Sequence, residues 1–217
     1  MSDTDIPSEV LAAAKAMDRK GLVEGTAGNV SGRMADGSVT MTPSSLSYDA
    51  MELDDLVVVD TDGNQLAGER SPTTERSLHL SCYRAYPEVG GVVHCHPVYA
   101  SMFALAHEPV PAAIEEVVVY VGGDIPICDY RTTGTDELGD EVASKLADRS
   151  AALMANHGLV AIGKDPADAL HAAAVVERTA HIVWGARALG KAHDIPPKVN
   201  ENFAGAYRFI RENTWSG

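Results

Sequence analysis

"VGGVVHCHPVYAS", Val89 to Ser101, ends a valine-rich run in two histidines, His94 and His96, one residue apart. β-Branched runs favour strands. Along a strand, residues i and i+2 share a face, so the two imidazoles are expected side by side, with Cys95 pointing the opposite way. Such a strand end is either a metal chelate or a pair of surface histidines. Pro97 then opens a helix, "PVYASMFALAH".

Working outward, the neighbouring segments alternate between helix and strand. "PSEVLAAAKAMDRKG" is an amphipathic helix with Ser8 as cap and Gly21 as stop. "SVTMTPSSLSY" is a strand and a turn, and "DLVVVDTDGNQL" is a strand, an Asp-Gly turn and a second strand. "SPTTERSLHLSCYRAYP" predicts a helix from near Thr73 to before Pro87. "EEVVVYVGG" and "AALMANHGLVAIG" read as further strands, with a helix over "TDELGDEVASKLADR" between them. "DPADALHAAAVVERTAHIVWGARALG" is a long helix with Asp165 as cap, Pro166 at its first position and Gly190 as stop. The tail after Lys191 reads as a polar segment that either folds on a neighbour or frays. The class is α/β. Several strands lie too close together for helical crossovers, so the sheet is expected to be mixed or mainly antiparallel.

The chain has 217 residues, 45% of them apolar and 22% charged, which fits one domain spanning 1–217. A net charge of -14 argues against a general nucleic-acid binder. No apolar run is long enough for a membrane span, and the polar start is unlike a signal peptide. Three widely spaced cysteines, Cys82, Cys95 and Cys128, fit reduced thiols in a cytoplasm better than a disulfide framework.

Two chemistries are open to the polar residues. His94, His96 and His157 (in "MANHGLVAIG") would form a three-nitrogen zinc site with one open position, the catalytic form of such sites. Glu75 would be its acid/base partner. The plainer alternative is two strand-end histidines and one loop histidine. Separately, "GTAGN" can form a nest of backbone N–H groups, and "SPTTE" places Thr73 and Thr74 at a helix N-terminus, where anions bind. Ordinary turns and an N-cap are the alternative.

"GTAGNVSGR", "TPSS", "SPTTERSLH", "VVHCHPVYAS" and "NHGLVAIG" stand in an order and spacing that resembles the class II aldolase/adducin family, over roughly Val10 to Leu189. Within it the likeness is nearest to the fuculose-phosphate aldolases. The resemblance implies a single three-layer α/β domain with a largely antiparallel sheet flanked by helices. It implies one Zn²⁺ per subunit on His94, His96 and His157, with Glu75 binding metal at rest and moving a proton in turnover. It implies phosphate binding by Gly28, Asn29, Ser44, Ser45, Thr73 and Thr74. The implied reaction is retro-aldol cleavage of a (deoxy)ketose 1-phosphate, such as L-fuculose 1-phosphate, to dihydroxyacetone phosphate and an aldehyde, without a Schiff base. The implied assembly is a homotetramer with active sites at subunit interfaces.

The family's second acid, a tyrosine from a neighbouring subunit, is replaced here by Glu115 or Glu116 in "AAIEEVVVY". We place it at Glu116, with Tyr120 and Tyr130 as the other candidates. A carboxylate there resembles methylthioribulose-1-phosphate dehydratases, the alternative function. Glutamate at position 75 argues against a ribulose-phosphate 4-epimerase, and retention of all three histidines argues against a metal-free adducin-like scaffold. His79, His107, His171 and His181 are read as structural or surface residues.

Overall fold

The computed structural model describes residues 5–215. Residues 1–4, part of the polar start read above as unlike a signal peptide, lie outside the described residues, as do 216–217. In chain order the elements are α1 (Ile6–Arg19), β1 (Asn29–Arg33), β2 (Val39–Met41), β3 (Val57–Val59), β4 (Gln65–Ala67), α2 (Arg76–Ala85), β5 (Gly91–Cys95), α3 (Val98–Ala106), α4 (Glu115–Val121), β6 (Ile127–Cys128), α5 (Asp136–Lys145), β7 (Ala151–Met154), β8 (Gly158–Gly163), α6 (Pro166–Ala188) and α7 (Pro197–Thr214). The strands form one sheet in the order β4-β3-β2-β1-β5-β8-β7-β6. Every pairing is antiparallel except β6 with β7. No helix among the described residues is long and apolar enough to cross a membrane.

Strand parity divides the interior into two cores, giving three layers. Val93 and Cys95 of β5, with Leu159 and Ala161 of β8, face the core built by α1, α3, α4 and α6. Val92, Val160 and Ile162 face the opposite core, built by α2 and α5. The histidine strand is central, with β1 on one side and β8 on the other, and all five of its residues are buried.

Local chemistry explains most boundaries. Asp165 accepts a hydrogen bond from the Asp168 N–H at 2.7 Å and Pro166 occupies the first turn of α6, the arrangement expected from the sequence. Four readings need correction. Ser8 lies inside α1, whose N-cap is Asp5. Helix α2 starts at Arg76, after Glu75, rather than near Thr73. Residues 115–121 are helical, not a strand. Glu115 and Glu116 occupy the favourable first turn, Gly122 ends the helix with φ 102, and Val117, Val118 and Val121 bury one stripe; packing on α6 and α7 overrides the β propensity of the valines. The tail is also helical beyond Pro196. Helix α7 docks on its own chain, where the Tyr207 hydroxyl meets that of Ser150 at 2.7 Å and Arg211 pairs with Glu88 at 2.9 Å.

The N-terminus of α6 rests on bare backbone of the histidine strand. A Cβ at Gly91 would lie 2.3 Å from the Asp165 carbonyl carbon and 2.4 Å from the Pro166 nitrogen. Gly91→Ala is therefore expected to lower stability by about 1–3 kcal/mol, the usual cost of overpacking, read as a lower denaturant midpoint. An unchanged midpoint would mean that α6 is free to shift.

Candidate active site

Three backbone elements bring the histidines together. The β1–β5 and β5–β8 registers set Asn29 and Val160 on either side of His94. His96 lies one residue past β5 and is held by its backbone N–H, which donates to the Leu22 carbonyl at 3.0 Å. His157 stands in the turn joining β7 to β8, after Asn156, whose φ is 56. The glycine after His157 has a packing reason, because a Cβ at Gly158 would come within 2.6 Å of the His96 ring. The three imidazole centroids are 4.7, 4.8 and 5.1 Å apart. Cys95 faces the other core, as strand parity requires.

The donor chemistry fits a cation. His94 Nδ1–H donates to the Leu159 carbonyl at 3.0 Å, so a neutral His94 presents its lone pair at Nε2. That lone pair faces His96 Nε2 at 2.9 Å and the Glu75 carboxylate at 3.1 Å. Glu75 Oε1 lies 3.3 Å from His157 Nε2. The three ring nitrogens offered as ligands all lie within 4.8 Å of one another. Converging acceptors repel unless a proton or a metal ion is shared among them. Burial, aided by the charges of His94 and His157 and opposed by Glu75, pushes the His96 pKa down to about 4. His96 is therefore neutral at pH 7, the form that binds metals. Three nitrogens, with His96 and His157 at a cavity wall, leave room for further ligands, as in catalytic zinc sites.

Glu75 is the most constrained group. It is only 8% exposed, just before the first turn of α2. Asn29 Nδ2–H donates to Oε2 at 2.9 Å, and Thr133 Oγ1–H donates to Oε1 at 2.8 Å. Burial pushes its carboxyl up. The facing His157 and His94 rings and the Asn29 amide outweigh this and hold it well below the usual carboxylate range.

The small-residue loops meet beside this cluster. The Ser44 N–H donates to the Ser71 carbonyl at 3.0 Å and the Thr73 N–H to the Thr42 carbonyl at 3.2 Å, which ties the Ser44–Ser45 loop to the Thr73–Thr74 loop. Gly28 adopts φ 77, and a Cβ there would lie 2.7 Å from the His94 carbonyl oxygen, so only glycine fits. The Tyr48 hydroxyl lies within hydrogen-bond reach of the Ala27 and Gly28 carbonyls, at 2.9 and 2.7 Å, and pins this loop. Gly28, Asn29, Ser44, Ser45, Thr73, Thr74, Glu75, His96, Thr133 and His157 line one cavity of about 310 Å³. His94 lies beneath it, fully buried.

The structure does not bring every expected residue here. Glu115 and Glu116 are exposed on the first turn of α4 and do not line the cavity. Tyr120 packs edge-on against His171, and Tyr130 is 60% exposed; neither lines it. Conversely, Thr133 and Tyr48 were not anticipated. Thr133 lies in a hydroxyl-rich stretch, "RTTGT", that carries no spacing signal linking it to Glu75.

A buried carboxylate among three imidazoles, beside a hydroxyl-lined cavity in a three-layer α/β fold, has the features of a metal-dependent enzyme site. Residues 8–184 match the family described as "Class II Aldolase and Adducin N-terminal domain". The chain is 33% identical over 197 residues to a 5-deoxy-D-ribulose 1-phosphate aldolase of Bacillus thuringiensis serovar kurstaki, covering 90% of this chain and 92% of the relative. It is 35% identical over 199 residues to an L-ribulose-5-phosphate 4-epimerase of Salmonella paratyphi B, covering 86% and 87%. A solved L-fuculose 1-phosphate aldolase superposes with a TM-score of 0.89 at 30% identity, covering 96% of this chain and 99% of that one. The chain belongs to the class II aldolase and adducin family, as an enzyme of its metal-dependent carbon–carbon lyase type.

The buried histidines link stability to pH. Burial, with the charge of His94 adding to it and Glu75 opposing, lowers the His79 pKa from 6.5 to about 3. Between those values the unfolded chain binds a proton that the folded chain refuses. Stability is therefore expected to fall as pH drops from about 6.5 toward 3, by up to ~1.4 kcal/mol per pH unit for such a group. His79→Gln should flatten that dependence in denaturation curves at pH 7 and pH 5. Equal pH slopes for both proteins would contradict the assignment.

Proposed function

We infer that the chain is a zinc-dependent aldolase cleaving a (deoxy)ketose 1-phosphate to dihydroxyacetone phosphate and an aldehyde. The observation that supports it most is the position of Glu75, with its carboxylate between the imidazole cluster and the hydroxyl-lined cavity. His94, His96, His157 and Glu75 would hold the ion, and three imidazole donors with a carboxylate suit Zn²⁺. When bound, Zn²⁺ supplies Lewis-acid polarisation of substrate oxygens. Gly28, Asn29, Ser44, Ser45, Thr73 and Thr74 would bind the phosphate through N–H and hydroxyl donors, fixing the sugar's first three carbons near the carboxylate. In cleavage the C4 hydroxyl loses its proton, the C3–C4 bond breaks, and its electron pair stays with C3. C3 takes up a proton drawn from solvent through the open cavity and relayed by Glu75, giving dihydroxyacetone phosphate. Glu116 would accept the C4 hydroxyl proton from a neighbouring subunit of a homotetramer, since it does not line the cavity of its own chain. Three buried free thiols are in keeping with a cytoplasmic setting.

The identity to an epimerase favours a second reading, C4 epimerisation of a ketose 5-phosphate. Dehydration of methylthioribulose 1-phosphate is a third, suggested by the carboxylates at 115 and 116. Incubation with 5-deoxyribulose 1-phosphate, L-fuculose 1-phosphate, L-ribulose 5-phosphate and methylthioribulose 1-phosphate separates them. Dihydroxyacetone phosphate should be released from one of the first two. Epimer formation or water loss without it would replace the aldolase reading.

Protein isolated without chelator is expected to hold about one divalent ion per chain. The His94→Ala, His96→Ala double variant should lose ion and activity together; full metal occupancy in it would remove the assigned centre. Dihydroxyacetone phosphate alone should exchange one C3 hydrogen with D₂O. Glu75→Gln should slow this by about 10²–10⁴-fold, the usual loss with a general base. Undiminished exchange would exclude Glu75 as that base.

A further inference from the structure

Behind Glu75 runs a buried polar chain of which the proposed chemistry uses only Asn29. Tyr83 Oη lies 2.9 Å from Ser31 Oγ, and Ser31 Oγ lies 2.6 Å from His79 Nδ1. His79 Nε2 lies 2.5 Å from Asn29 Oδ1, and Asn29 Nδ2 lies 2.9 Å from Glu75 Oε2. Ser31 and His79 are fully buried, and Tyr83 and Asn29 are 2% and 5% exposed. The residues come from two elements only. Asn29 and Ser31 share a face of β1, and His79 and Tyr83 stand one turn apart on α2.

Donor and acceptor rules give this chain one direction. A carboxylate accepts only, so the Asn29 NH₂ group must face Glu75 and its oxygen must face His79. His79 Nε2 must then carry the hydrogen, which leaves Nδ1 as an acceptor. Ser31 O–H donates to that nitrogen, and Tyr83 O–H donates to Ser31. Every hydrogen in the series points toward Glu75.

We propose that His79 is a positioning residue which, through its Nε2–H bond to Asn29, locks the Asn29 amide so that its N–H groups face the Glu75 carboxylate. Without that bond, the amide is free to rotate and present its oxygen to the carboxylate, and Glu75 loses one of the donors that aim it. Asn29 thus serves the acid/base group with its side chain, in addition to any contact with phosphate. This rests on the reading of Glu75 as the proton carrier, and it makes a buried helix residue outside the cavity part of its function. Partners that orient a reactive or ligating side chain in this way typically matter by about 10–100-fold when removed.

The test compares His79→Leu, His79→Gln and Glu75→Gln in the exchange of dihydroxyacetone phosphate hydrogen with D₂O, with melting curves and metal content measured for each. Glutamine can place an N–H donor near the lost Nε2–H, whereas leucine cannot. His79→Leu should slow exchange by about 10–100-fold with little change in the KM for dihydroxyacetone phosphate, and His79→Gln should recover part of that loss. A purely structural role would lower the melting temperature of both variants and leave exchange per folded, metal-loaded chain unchanged, which would overturn the proposal. Equal loss of exchange in the Leu and Gln variants, with metal retained, would also overturn it, because donation to Asn29 would then be irrelevant. If Glu75→Gln exchanges like wild type, the functional reading fails first; if it is inactive while His79→Leu is not, only the positioning role fails.

Discussion

A carboxylate that is removed from water, yet ionised, must be compensated, and in this protein that requirement falls on Glu75. Its oxygens meet two imidazoles, an amide and a hydroxyl drawn from four other parts of the chain. None of these groups is adjacent to it in sequence. The centre exists only when β1, β5, the β7–β8 turn, the start of α2 and the loop before α5 are assembled together. Its position just ahead of α2 also lets the carboxylate face the open cavity rather than the core beneath.

The sheet meets that requirement through register. Antiparallel pairing sets Asn29 across from His94, so the strand that supplies the buried imidazole is flanked by the one that supplies the amide. Parity sends His94 toward the α2 side and Cys95 into the other core. Glycines are placed where backbone or rings approach closely: Gly28 against the His94 carbonyl and Gly158 against the His96 ring. Packing and polar chemistry are thus solved by the same few residues, and a side chain added at either glycine would disturb both.

Much of this was legible from local sequence. The period of two in "GVVHCH" gave the shared face of His94 and His96, and the Asp165–Pro166 start of the long helix was readable from capping chemistry alone. What failed had nonlocal causes. The valines of 115–121 favour a strand in isolation, but α6 and α7 offer them a helical packing site. The tail looked polar because its buried side are two long residues, Tyr207 and Arg211, that hydrogen-bond rather than form an apolar stripe. Thr133 lies 58 positions from its partner Glu75, and no periodicity spans that interval. His79 looked like any other helix histidine, since its partners are on another element. Glu116 was placed by family likeness alone, and it stands exposed on α4, outside the cavity lining of its own chain.

The central claim is that three imidazoles and one carboxylate share a single divalent ion. X-ray absorption at the zinc edge, on protein loaded with one equivalent of Zn²⁺, tests it most directly. The account predicts a shell of nitrogen and oxygen scatterers at about 2.0–2.2 Å with the outer-shell pattern of three imidazoles. A sulfur shell at about 2.3 Å, fewer than three imidazoles, or a spectrum of hydrated ion would contradict it.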